Sequence, residues 1–187
     1  MLRIIKSVFL IYLLSALPDL VFAQNTTNHL QWSATRKLTV EDFLIKTKSL
    51  ETTSSFAQFS FDFQVNGFDF MTKNFNKKVK NYIIKSASWI DTTVNVSQVL
   101  VYQQTLFDLS EIYARKLRKA LRENRKKIAN GTQIVKELND TIMTSFAERR
   151  VSYDRETNFG ADWIRQKEWE VQIQKELLEL NDFAYEN

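Results

Sequence analysis

One change of period divides this chain. Before Asp91 the apolar residues recur at every second position, and after it they recur at every third and fourth. The clearest strand is Phe56 to Val65, where Phe59, Phe61, Phe63 and Val65 alternate with Ser60, Asp62 and Gln64. Asn66-Gly67 follows, the preferred pair for a tight type I′ turn, and Phe68 and Phe70 resume the alternation as a hairpin. Val79 to Lys85 reads as a further strand running on to Ser88-Trp89. Residues 30 to 90 are therefore expected to form a small, mostly antiparallel sheet, with Lys46 to Thr53 as a connection and Thr39 capping a short helical turn.

Beyond Asp91 the spacing predicts three helices. The first runs from about Ser97 to Lys127, with Val99, Leu100, Gln103, Leu106, Phe107, Tyr113, Leu117 and Leu121 on its apolar face. Asn130-Gly131 supplies a stop and Thr132 a new cap. The second carries Ile134, Val135, Leu138, Ile142 and Phe146 to about Arg149, and Val151 to Gly160 reads as a loop. The third runs from Ala161 to about Asp182 and buries Trp163, Trp169, Ile173, Leu177 and Leu180. A sheet followed by helices is an α+β fold.

The first 23 residues have the pattern of a signal peptide: Arg3 and Lys6, an apolar run from Val8 to Leu17, and a small-residue site ending at Ala23. That run is too short for a stable membrane span. Gln24 to His29 reads as a disordered linker, and 30–187 as one domain. A net charge of +4 is too mild to argue for a nucleic-acid partner. The absence of cysteine excludes disulfides and thiolate metal sites, and His29, the single histidine, excludes a two-histidine site. Three glycines, at 67, 131 and 160, cannot build a phosphate-cradling loop.

Within the first helix, Tyr102-Gln103-Gln104-Thr105-Leu106-Phe107-Asp108-Leu109-Ser110-Glu111-Ile112-Tyr113-Ala114-Arg115 resembles the active-site helix of a family of bacterial secreted zinc-dependent proteases, His-Glu-Gln-x-His-Phe-Asp-Ile-x-Glu-x-x-Ala-Arg. Gln104, Phe107, Asp108, Glu111, Ala114 and Arg115 match it. Tyr153, Asp154, Thr157 and Gly160 match the family's Tyr-Asp-x-x-Thr-x-His-Gly segment. Trp32, the Leu38-Thr39 to Asp42-Phe43 element, Ser88-Trp89, and Gln166 with Trp169 resemble shorter family features. The resemblance implies a zincin-like fold, with an N-terminal antiparallel sheet, a long helix and two further helices.

It also implies a lost active site. Two histidines at i and i+4 share one metal, and the glutamate between them takes a proton from the metal-bound water. Tyr102 and Leu106 stand at the two histidine positions, Gln103 at the glutamate and Phe159 at the third ligand. A glutamine amide accepts no proton near neutral pH, and leucine and phenylalanine offer a metal nothing. Tyr102, Leu106 and Phe159 are expected to pack together and plug the old cleft.

No cofactor or metal is therefore expected. The resemblance implies a pseudoprotease, exported to the periplasm or outside, that binds an unknown protein or peptide. The alternative is a hydrolase rebuilt on Asp108, Glu111 and Asp154; with Glu156 these supply the oxygen ligands calcium prefers, but roles as hydrogen-bond acceptors are favoured over a calcium site. The basic run from Arg115 to Lys127 reads as a solvated face rather than an anionic-ligand patch.

Overall fold

A computed structural model describes residues 28–47, 53–63 and 75–185. The signal-peptide pattern, the Asn66-Gly67 turn and the resumed alternation at Phe68 and Phe70 lie outside the described residues.

The sheet is organised on one long strand. Strands β1 (His29–Gln31), β2 (Ile45–Thr47) and β3 (Ser55–Phe63) all pair with β4 (Val79–Asp91). β3 runs antiparallel to β4 from Ser55 opposite Ile90 to Phe63 opposite Val79, with an irregularity between Phe56 and Gln58. β1 pairs antiparallel with Tyr82 to Ile84, and β2 pairs parallel with Trp89 to Asp91. These registers set β1 and β2 end to end along one edge of β4, with β3 along the other. The sheet is thus mixed rather than antiparallel. β2 overlaps the start of the expected connection, because three residues are too few to show alternation. Unpaired backbone at the edge of β4 recruits them all the same. β1 likewise begins inside the expected linker: the His29 ring lies 4.4 Å from that of Tyr82, and Asn28 accepts from Lys85 N–H. After β1, Thr39 precedes a single 3-10 turn, Val40–Asp42, and its N–H donates to the Asp42 carboxylate at 2.9 Å.

Helix α1 (Val96–Glu123) crosses the sheet and is buried on every side from Thr105 to Arg115. Asn95 caps its start by accepting from Gln98 N–H. Its end comes earlier than expected, since the Asn124 side chain donates to the Ala120 carbonyl and separates a short α2 (Arg125–Ala129). The main core joins Phe43, Phe59, Ile83 and Ile90 to Leu106, Leu109 and Ile112, with Phe59 stacked on Phe107 at 5.2 Å. A second cluster joins Phe75 and Val79 to Leu117, Leu121, Ile128 and Val135.

Helix α3 (Gln133–Glu156) runs through Arg149 and into the expected loop. Buried Tyr153 and Thr157 extend the stripe of Phe146. The helix closes in a Schellman arrangement: Phe159 N–H donates to the Asp154 carbonyl and Asn158 N–H to that of Arg155, with Asn158 at φ 47°. Helix α4 (Trp163–Glu179) then packs Gln166, Trp169, Ile173 and Leu177 inward. Trp163 does not join them; it is half-exposed at the first turn. Among the described residues no helix is long and apolar enough to cross a membrane.

Candidate functional site

A helix buried on every side must satisfy each polar group it carries. In α1 these include Gln103, Thr105, Asp108, Ser110, Glu111 and Arg115, so the matched motif is where the chain's polar connections concentrate. Residues four apart share a face, which sets Tyr102 and Leu106 side by side. Leu106 is fully buried. Tyr102 stacks on Tyr153 with ring centroids 5.2 Å apart, and Tyr153 meets Trp169 edge-on at 5.3 Å.

The Tyr102 hydroxyl donates to Asp154 Oδ1 at 2.5 Å. Burial, and then the Asp154 carboxylate beside it, hold the Tyr102 phenol far above its ordinary range. Burial also raises the Asp154 carboxyl, against the opposing pull of the Tyr102 hydrogen bond and the Arg150 charge. Tyr153 donates to Gln166 Oε1 at 2.7 Å, and Gln166 Nε2 donates to Thr105 Oγ1 at 2.9 Å, which ties α3, α4 and α1 together.

Phe159 does not complete the expected plug. It is half-exposed, because Asn158, Phe159 and Gly160 all have positive φ (47°, 54° and 82°), and this run carries its side chain away from the core. The Gly160 backbone abuts Tyr102 instead, and its carbonyl accepts from Gln98 Nε2 at 2.8 Å. Gln103 is buried and donates to Ser55 Oγ at 2.8 Å, while its Oε1 has no partner among the described residues. These four positions do not fit a zinc ion. Leu106 and Phe159 carry no donor atom, the Tyr102 phenol is committed to Asp154, and Gln103 offers only an amide.

The carboxylates do not converge either. Asp108 accepts from Trp32 Nε1 and Gln104 Nε2 at 2.8 Å each and from Gln174 Nε2 at 3.0 Å. Burial raises its carboxyl above the usual range, with these donors and Lys37 opposing. Glu111 accepts from Arg118 Nη1 at 2.7 Å, Arg115 Nε at 3.2 Å and Asn81 Nδ2 at 3.3 Å. Glu156 accepts from the Trp169 indole at 3.0 Å. Among the described residues no group of three or more His, Cys, Asp or Glu is placed to hold a metal ion. The basic run is divided as well: Arg115 and Arg118 are buried, donating to the Leu177 carbonyl and to the Val79 and Phe183 carbonyls respectively.

Beside the first half of α1 lies an open groove of about 370 Å³. Leu38, Leu100 and Val101 give it apolar walls, and Gln104, Asp108 and Gln174 give it polar ones. Gln104 Oε1 accepts from Leu38 N–H at 2.8 Å, which fixes one wall to the helix. Ser55 and Gln174 carry no signal in the sequence, since each acquires its role only from a distant partner.

No family model matches this chain, and no curated protein and no solved structure matches it.

Proposed function

We propose that this chain is a non-catalytic peptide- or protein-binding protein on a zincin-like scaffold, exported by its N-terminal signal segment to the periplasm or beyond. The observation that carries the reading is the groove between Leu38, Leu100, Val101, Gln104, Asp108 and Gln174. It sets three apolar side chains among polar and charged ones, Lys37 and Glu170 included, so it offers a peptide both contact area and hydrogen-bonding groups. Both edges of β4 are already paired, so the peptide is assigned to the groove rather than to an edge of that strand.

Two further features support it. Residues resembling the protease motif outside the chemical positions serve as ties: Asp108 to Trp32, Gln104 to Leu38, and Tyr153 to Gln166. The positions at which that chemistry would act instead hold Tyr102, Gln103, Leu106 and Phe159.

The test is a screen of a fluorescent peptide library against the purified chain and against Leu100→Trp, which fills the groove. Binding of a defined peptide class that is lost in the variant, with the peptides recovered intact, is the expected result. Equal binding by both proteins would remove the groove from the argument, and peptide cleavage would overturn the non-catalytic reading.

A further inference from the structure

Helix α4 is apolar on two opposite faces. Gln166, Trp169, Ile173 and Leu177 face the core, and Ile164, Val171 and Leu178 face away from it at 74, 71 and 76 % exposure. The three exposed residues lie seven apart, so they form one narrow stripe along the helix, with one apolar residue in each heptad where a coiled-coil seam has two. Val171 sits at the midpoint, in a shallow hollow lined by Lys167, Glu168, Gln172 and Lys175.

We propose that this stripe is a self-association surface, on which α4 of a second copy of this chain packs antiparallel about a two-fold axis through Val171. The charges beside the stripe select that occupant. The axis brings Ile164 to Leu178 of the second copy and Val171 to its own counterpart. On one flank it brings Glu168 to Lys175, and Arg165 to Glu179, each pair of opposite sign and each formed twice by symmetry. A parallel pairing seats Lys167 against Lys167 within the seam. The charged groups are free to re-pair, because their present partners are exposed neighbours on the same helix: Arg165 with Glu168 at 2.7 Å and Lys175 with Glu179 at 3.9 Å. A seam of three apolar residues makes a small interface, so the dimer is weak and concentration-dependent.

The chain has no cysteine, which allows a direct test by single substitutions in the full-length protein. A disulfide needs Cα atoms within about 7 Å, and fourteen helical residues span about 21 Å. Under mild oxidation Val171→Cys is expected to link to itself, whereas Ile164→Cys and Leu178→Cys alone do not, and an equimolar mixture of those two forms the mixed dimer. Adding Glu168→Lys to Val171→Cys lowers the yield about tenfold, and adding Lys175→Glu as well restores it. The proposal is overturned if Val171→Cys links no faster than Val151→Cys, an exposed control on α3. Equal self-linking at 164, 171 and 178 would overturn the antiparallel register. Lack of self-linking together with binding to neutral phospholipid vesicles, lost in Val171→Asp, would assign the stripe to a lipid surface instead.

Discussion

Tyr102 and Gly160 meet so closely that no side chain fits between them: a Cβ on Gly160 would stand 2.6 Å from the Cβ of Tyr102. Gly160 also holds φ at 82°, a conformation that other residues adopt only with strain. Gly160→Ala is therefore expected to cost about 2–4 kcal/mol, since neither the helix nor the loop backbone can give way cheaply. Gly131 has nothing within 4 Å of its Cβ position, and Gly131→Ala is expected to stay within about 1 kcal/mol of the parent. Urea unfolding of the two variants checks the contrast.

Tyr102→Phe keeps the stack on Tyr153 and removes only the hydroxyl that donates to Asp154. A hydrogen bond to a carboxylate is worth about 1.5–3 kcal/mol. The loss should depend on pH. Burial raises the Asp154 carboxyl, so its contribution to stability is fully present below the unfolded value and is lost as pH rises through the folded one. Removing a donor to the charged form raises the folded value further. The variant should fall further below the parent at about pH 7 than at about pH 4, in unfolding curves at both.

Arg118 is wholly buried and spends its guanidinium on Glu111 and on the Val79 and Phe183 carbonyls. Arg118→Met leaves a buried carboxylate without its shortest partner and two carbonyls unmet, at a cost of about 3–5 kcal/mol. The next residue, Lys119, reaches Glu123 at 4.0 Å on the surface. Lys119→Met is expected within about 0.5 kcal/mol of the parent. Thermal unfolding separates the two.

Asp42 titrates in the opposite sense to Asp154. Burial opposes its ionisation, but the Arg36 guanidinium at 2.8 and 3.0 Å, the Thr39 N–H and the Lys85 ammonium outweigh that and hold its carboxyl below the ordinary range. Its stabilisation is present above the unfolded value and is lost as pH falls through the folded one. The parent should lose stability below about pH 4. Asp42→Asn should be less stable near neutrality and flatter on the acid side, as read from unfolding midpoints across that range.

Much of the fold is legible residue by residue. The alternation around Phe59 and Phe61 marks β3, and the three-and-four spacing from Val99 to Leu121 marks α1. The rest fails where a signal is short or local. β2 has only three residues, and its parallel pairing depends on an edge of β4 that lies more than forty positions away. α3 continues past Arg149 because Tyr153 finds Gln166 and Thr157 bonds back to the Tyr153 carbonyl. At the candidate site, the lack of metal donors at Leu106 and Phe159 can be read directly. That Phe159 turns outward cannot, since its direction follows from three successive positive φ angles.

The sequence by itself determined the order of sheet and helices, the elements long enough to show a period, and the chemistry its donor atoms can supply. Tertiary structure decided which partners those atoms received. Asp108, Glu111 and Asp154 sit within two helices, yet each is taken by a different set of neighbours, and Trp32 reaches Asp108 across 76 positions of the chain. Periodicity records only which face of an element avoids water. Which element covers that face, and where its buried polar groups find partners, depends on contacts between residues far apart in the chain.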